Sequence, residues 1–356
     1  MNRDEKVFVT GGTGFIGTRL VQALADAGVS VRVLSRRSHP QPPAGFDGPR
    51  GGPFVHPCVE IAEGDVTDRD CLIRGMRGCT RVFHMAGLAK NWAPNSLAYF
   101  EVNVQGMRNV LHAAGHRGVE RVVCTSSIVT LGPTRKGEVA DEDMPRNTPR
   151  FFTEYERTKT IAEQEALARA RDGFPVVIVN PTRVFGPGHL TEGNAVSQLI
   201  DDYDRGKLPV LLNAGMNVGN YVFVDDVVRG HILAMEKGRL GERYILGGEN
   251  VTLKQFFKLV DAASGKRHLQ VPVFHIAAMT FAWWQKMQAE RRGVPPRITP
   301  GWMRAFLTDW AASSDKARRE LGYQHTPLEA AVRKTYRWLQ QIREKQSCTS
   351  RKRRAA

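Results

Sequence analysis

The chain has 356 residues, 42% hydrophobic and 24% charged, which excludes a disordered polymer and leaves room for a substantial core. Its formal charge of +15 includes four cations in Arg351-Lys352-Arg353-Arg354, but no zinc-finger, RRM or KH pattern accompanies it, so no specific nucleic-acid partner is expected. Five cysteines without a CxxC pair, scattered histidines without HExxH spacing and no run of roughly 20 apolar residues argue against a disulfide framework, a metal site and a transmembrane segment.

The N-terminus enters a strand, Val7-Phe8-Val9, without an apolar leader, and a reducing cytoplasm is the expected location. A helix follows from about Gly14 to Ala27, then a strand from Val29 to Leu34. Residues 39–57 turn to Pro and Gly, the composition of a surface loop or mobile insertion. Strands resume at Val59-Glu60-Ile61, at Arg81 to His84, at Arg121 to Cys124 and at Phe174 to Val179, with helices between. Tyr221 to Val224 reads as a further strand, with Asp225 as N-cap of the helix behind it. After Tyr244 the pattern turns mainly helical, and Thr252 with Gln255 forms a capping box. The apolar stretch from Val271 to Trp284 reads as a packed helix, with peripheral membrane contact left open.

This alternation predicts an α/β fold: a Rossmann, doubly wound parallel sheet with a smaller, mainly helical C-terminal part. The expected division is a nucleotide-binding domain over 1–180 that also receives 221–240, a substrate-binding part over 181–345, and a basic disordered tail over 346–356.

Thr10-Gly11-Gly12-Thr13-Gly14-Phe15-Ile16-Gly17 lies directly between a strand and a helix. Gly11 suits the tight turn, Gly14 lets backbone approach a pyrophosphate, and Gly17 lets helix and strand pack closely. The N–H groups and dipole of the helix start, at Phe15 and Ile16, would then face the phosphates. Where an acidic residue would select NAD, the second strand ends in Arg36-Arg37; Arg36 either pairs with a 2′-phosphate, favouring NADP, or simply faces solvent. Asp65, followed by Val66, either accepts from the adenine amino group or caps the next turn.

In Tyr155-Glu156-Arg157-Thr158-Lys159 the phenol and ammonium share a helix face, and a lysine beside a phenol lowers its pKa toward that of a usable acid or base. Ser126-Ser127, ending a strand upstream, offer a hydroxyl to hold a substrate oxygen, or serve only the turn.

Together these motifs resemble an extended short-chain dehydrogenase/reductase of the NAD-dependent epimerase/dehydratase family. TGGTGFIG, GDV, HMAG, VNVQGMRNV, TSS, YERTK, NPTRVFGPG and YVFVDDVVRGH occur in the expected order, and the likeness extends to about Leu339. Gly241 to Gln255 and Ser313 to Tyr323 look most similar to the dihydroflavonol 4-reductase-like and hopanoid-associated sugar epimerase group. The resemblance implies that Ser127 binds the substrate oxygen, Tyr155 is the proton donor or acceptor, and Lys159 holds the nicotinamide ribose and tunes Tyr155. It also implies that Met85, Ala86 and Gly87 line the cofactor, that Pro181 passes near the carboxamide, and that Asn103 braces helix and sheet.

The function so implied is an NAD(P)-dependent oxidoreductase that reduces a carbonyl or oxidises an alcohol, using NADP or, alternatively, NAD. A sugar epimerase or dehydratase would share the machinery, with a sugar in place of a carbonyl or alcohol substrate. A dinucleotide-sensing regulator without turnover would be expected to lack the Tyr155/Lys159 pair. Trp283, Trp284, Trp302 and Phe306 suit an apolar substrate or a packed helical subdomain, and the resemblance leaves room for a homodimer.

Overall fold

The computed structural model describes residues 5–41, 52–208 and 210–355, with side chains described as far as 345. The first half alternates β1 (Lys6–Thr10), α1 (Phe15–Asp26), β2 (Ser30–Ser35), β3 (Val59–Glu63), α2 (Arg69–Gly75) and β4 (Arg81–His84). It continues through α3 (Leu97–Phe100), a π-helical turn, α4 (Gly106–His116), β5 (Arg121–Thr125), α5 (Glu154–Arg171) and β6 (Val176–Pro181). Next come β7 (Arg183–Phe185), α6 (Ala195–Asp204), β8 (Val210–Leu212), β9 (Val218–Phe223), α7 (Val224–Lys237) and β10 (Arg243–Leu246). The chain ends with β11 (Glu249–Thr252), α8 (Leu253–Ser264), β12 (Val271–Val273), α9 (His275–Arg292), α10 (Pro300–Phe306), α11 (Asp315–Leu321) and α12 (Leu328–Ala355).

Seven parallel strands form the large sheet in the order β10-β6-β5-β4-β1-β2-β3. Strands such as β1 and β6 are apolar and buried because helices cover both faces of the sheet. One face packs on α1, α7 and α11 through residues such as Leu20, Val227 and Leu321; the other packs on α2, α4 and α5 through Leu72, Val110 and Ala162. Strand order reverses between β1 and β4, so a crevice opens at their carboxyl ends, the usual ligand position in such sheets.

Several expectations change here. The strand expected at 221–224 lies outside the large sheet: β9 pairs with β7 and β11 instead. The seventh large-sheet strand is β10, hidden in the sequence as four residues between turns. Asp225 is not an N-cap, because α7 begins one residue earlier and Asp225 stands in its first turn. Of the 39–57 stretch, 42–51 lie outside the described residues, whereas Gly52–Val55 forms a 3-10 turn that buries Phe54 in the core beside α1. The backbone of α12 continues to Ala355 through most of the expected disordered tail, in keeping with the helix-forming Gln346, Arg351, Lys352, Arg353, Arg354 and Ala355 there. The Thr252–Gln255 capping box opens α8 as read.

A third core lies between α6, α8, α12 and the small sheet, where the Tyr203 and Phe257 rings stack at 4.1 Å and those of Tyr221 and Phe256 at 4.3 Å. No described helix is long and apolar enough to cross a membrane.

Candidate active site

The glycine turn after β1 is dictated by space. Gly11 has φ +71, and a Cβ on it would lie 2.5 Å from the Ala86 nitrogen; a Cβ on Gly17 would lie 2.1 Å from the Gly11 carbonyl oxygen. Gly14 donates its N–H to Gly11 O at 3.0 Å and so closes the turn. No side chain caps α1, and no acidic residue stands in its first turn, so the N–H groups at Phe15 and Ile16 suit an anion such as a pyrophosphate. The Phe15 ring itself is buried, and a Cβ on Gly188 would fall 2.7 Å from it. Thr10 Oγ1 and His84 Nδ1 share a hydrogen bond of 2.8 Å across β1 and β4. Burial, helped by the Lys159 charge, pushes His84 down to about 3, so it is a neutral brace.

Just past the end of β2, Arg36 and Arg37 are both exposed, and Ser35 Oγ holds the turn by donating to Arg37 O at 2.8 Å. The Asp65 carboxylate accepts from Thr67 N–H at 3.0 Å and from the Thr67 hydroxyl at 2.9 Å. The turn-capping role read for Asp65 is present in the structure, through the single oxygen Oδ1. Val66 is buried against Gly106, and its carbonyl accepts from Asn109 Nδ2 at 3.0 Å.

Beyond β4, Met85, Ala86 and Gly87 run along the crevice. A Cβ on Gly87 would sit 3.3 Å from Asn103 Oδ1 and 3.5 Å from Lys159 Nζ, so this loop and α5 meet at close range. Asn103 accepts from Leu88 N–H at 2.7 Å and donates to Thr158 Oγ1 at 3.0 Å, a bracing arrangement. Pro181 ends β6, buried beside Leu246.

Thr153 caps α5 by accepting from Glu156 N–H at 3.1 Å; Glu154 and Glu156 in the first turn and Arg169 and Arg171 in the last complement the helix dipole. That register turns Tyr155 and Lys159 toward the end of β5, where Ser127 stands beside the Tyr155 phenol. Lys159 Nζ donates to Thr125 O at 2.7 Å. Burial brings the ammonium down to about 8, with Cys124 and Glu163 opposing the shift. The expected acidification of the phenol by Lys159 does not appear. Burial instead raises Tyr155, the neighbouring Ser127 hydroxyl opposes part of the shift, and the ammonium is turned to a backbone carbonyl. The Tyr155 ring stacks on Trp302 of α10, with centroids 6.4 Å apart. Ser126 Oγ is buried without a hydrogen-bond partner, whereas Ser127 Oγ accepts from Val129 N–H at 3.4 Å, which separates the two serines.

Sequence reasoning missed the network behind these groups. Glu163, buried one further turn along α5, accepts from Thr130 Oγ1 at 3.0 Å, from Asn180 Nδ2 at 2.7 Å and from Arg243 Nη1 at 2.9 Å. Asn180 Nδ2 also reaches Ser127 O at 3.1 Å, so β6, β10 and α5 together fix the Ser127 loop. The signal was available: Tyr155, Lys159 and Glu163 are spaced by four, which places all three on one face of a helix. His231 was also missed. Its Nδ1 lies 2.7 Å from the Val227 carbonyl, which can only accept, so Nε2 takes the Thr125 hydroxyl at 2.8 Å; burial holds the ring down at about 4, hence neutral.

Outside the start of α5 lies a cleft of about 760 Å³. Trp92, Pro94, Tyr99, Phe152 and Trp283 contribute apolar wall, while Lys286 and Arg304 are matched in charge by Glu154 and Glu290. Gly301 lets α10 close the cleft, since a Cβ there would meet Phe152 O at 2.1 Å.

A family model described as the NAD dependent epimerase/dehydratase family matches residues 7–247. The chain belongs to that family. It is thus an enzyme of NAD-linked oxidoreductase type, and the reading as a regulator without turnover falls away. A dihydroflavonol 4-reductase-like protein of Synechocystis sp. is 32% identical over 337 residues, covering 94% of each chain. A 3 beta-hydroxysteroid dehydrogenase/Delta 5→4-isomerase of Mycobacterium tuberculosis is 31% identical over 339 residues, covering 90% of this chain and 86% of its own length. The crystal structure of gox2253 superposes with a TM-score of 0.76 at 32% identity, covering 95% of this chain and 98% of the other. As a family member, the chain combines the parallel Rossmann sheet with a C-terminal helical region.

Proposed function

We propose that this enzyme interconverts a ketone and a secondary alcohol on an apolar, polycyclic-sized substrate, using NADP in preference to NAD, with Tyr155 as the proton donor and acceptor. The observation that carries the reading is the juxtaposition of Ser127 and the Tyr155 phenol beside a Lys159 ammonium that lies close to Gly87, on the side of the crevice lined by Met85, Ala86 and Gly87. A substrate oxygen placed between Ser127 and Tyr155 would accept from both hydroxyls. A phenol kept protonated by its burial can then give its proton as the oxygen gains charge. Lys159 would hold the nicotinamide ribose and offer positive charge beside the phenol. Bound along the glycine turn and Met85 to Gly87, the dinucleotide would supply or accept the hydride. Gly11, Gly14 and Gly17, with the backbone of Phe15 and Ile16, would hold the pyrophosphate; Pro181 would border the carboxamide.

The aromatic wall of the cleft supports an apolar substrate, and its balanced charges give a nucleotide-sugar pyrophosphate little to pair with. The steroid dehydrogenase named among the relatives acts, by its name, on a substrate of this kind. The test is turnover of NADPH with a panel of polycyclic and linear ketones. Stoichiometric release of oxidised cofactor supports the reading; a tightly retained cofactor with conversion of sugar epimers, and no net oxidation, would overturn it in favour of an epimerase.

Arg36 and Arg37 stand exposed just past the end of β2, where no carboxylate competes for the ribose. Arg36→Ala is therefore expected to weaken NADPH binding by about tenfold to a hundredfold, the worth of a charge-assisted hydrogen bond, while leaving NADH binding nearly unchanged. A fluorescence titration with both cofactors reads this directly.

Lys159 sets an alkaline limit. Its ammonium is present below about 8 and lost above it, so cofactor affinity is expected to fall as pH rises through that value. Stability runs the other way: the unfolded lysine binds its proton more tightly, so the cost of the buried cation is relieved above about 8. Dissociation constants for NADPH measured across this range, with Lys159→Met for comparison, check the assignment.

A further inference from the structure

The surface of α9 reverses the usual arrangement of an amphipathic helix. Its buried positions are the small residues Ala278, Ala282 and Ala289, set against Met303 and its neighbours in a minor core. Ile276, Trp283, Trp284 and Met287 instead fall on the opposite face at helical spacing, and all are exposed. Phe274 at the N-cap is 85% exposed, and Leu269 ahead of it 87%. Of the fifteen large apolar residues exposed on the described chain, nine lie between positions 269 and 294. A concentration of this kind marks an interaction surface.

Charge selects among the occupants. Residues 266–297 carry six cations; Lys266 pairs with Asp204 at 3.1 Å and Lys286 with Glu290 at 3.6 Å, which leaves Arg267, Arg291, Arg292 and Arg297 without a carboxylate in that stretch. A second copy of the chain meeting this patch about a two-fold axis would bring cation against cation, which opposes self-association. Tryptophan and phenylalanine among lysines and arginines instead match the boundary between acyl chains and anionic headgroups. The helix has 18 residues and is not apolar enough to cross a bilayer, which leaves it lying along one.

We propose that the outward stripe of α9, with Leu269 and Phe274 before it, docks this enzyme on an anionic lipid surface. Trp283, Lys286 and Glu290 belong both to α9 and to the rim of the cleft, so docking would set the cleft mouth against the bilayer. An apolar substrate would then enter from the lipid without crossing water; this clause alone rests on the function proposed above.

The test is co-sedimentation of the full chain with vesicles of phosphatidylcholine, with and without phosphatidylglycerol. Binding is expected only with phosphatidylglycerol, weakening as salt rises. The double variant Phe274→Asp/Ile276→Asp, which touches neither the cleft nor the catalytic groups, is expected to lose about tenfold or more in vesicle affinity. Arg291→Glu/Arg292→Glu is expected to lose a similar factor and much of the salt dependence. Because the C-terminal cations could also draw the chain to lipid, a variant with Arg351, Lys352, Arg353 and Arg354 all changed to Gln is included and is expected to bind still. Binding abolished by that variant but retained by Phe274→Asp/Ile276→Asp would overturn the proposal. So would an absence of vesicle binding, or a dimer in solution that Phe274→Asp/Ile276→Asp dissociates. NADPH titration of each variant separates misfolding from loss of docking. Turnover of a water-soluble ketone without lipid separates failure of this inference from failure of the proposed reaction.

Discussion

Tyr155→Phe is expected to lower kcat by about 10²- to 10⁴-fold while leaving NADPH affinity nearly unchanged. The substitution removes one hydroxyl and keeps the ring that stacks on Trp302, so the α5–α10 contact survives. It also takes away a hydroxyl that stands beside Ser127, a change worth at most about 0.5–1.5 kcal/mol of stability. A folded protein with intact cofactor binding and little turnover would therefore mean that the missing proton, not a collapsed site, limits the reaction. Single-turnover oxidation of bound NADPH separates the chemical step from product release. A variant that retained full turnover would remove Tyr155 from the reaction and transfer attention to the Ser127 hydroxyl or to water.

Glu163→Ala is expected to destabilise the fold by on the order of 3 kcal/mol and to lower turnover as well. Glu163 is almost wholly buried, and its removal leaves Arg243, Asn180 and Thr130 without their shared acceptor. The figure sits at the low end for a broken buried pair because Arg243 keeps 24% of its side chain in solvent and can rehydrate. Glu163→Gln retains an oxygen for Asn180 but turns an amide donor or a neutral oxygen toward Arg243, so an intermediate loss is expected. Urea midpoints measure the first effect. The functional effect runs through Ser127: with Asn180 released, the loop bearing Ser127 loses an anchor, and KM for the carbonyl substrate should rise more than the dissociation constant for NADPH. A loss of stability without that rise would make Glu163 a structural residue only.

The nucleotide-binding turn was legible because its cause is local. Gly11, Gly14 and Gly17 answer to one turn between one strand and one helix, and every clash that excludes a side chain there involves backbone or residues of the same crossover and its neighbouring strand. The Tyr155/Lys159 pair was legible for a similar reason, since helical spacing alone puts both on one face. Parallel strands with helices between them likewise follow from alternation of apolar runs and helical periods.

Other features depend on partners distant in the chain. A strand as short as β10 carries little pattern of its own; it joins the large sheet because β6 presents an unpaired edge to it, while β9, with the stronger pattern, is taken by β7 and β11. The tuning of Tyr155 was misread because sequence spacing brings the lysine near but does not report burial. Desolvation outweighs a charge that is turned toward Thr125 O. Sequence by itself determined the crossover, the glycine turn and the helix face that bears Tyr155 and Lys159, since each leaves a pattern within a few consecutive residues. Only the tertiary structure decided the seventh strand, the Glu163 network and the outward tryptophans of α9, because burial and pairing belong to contacts between segments that local pattern does not specify.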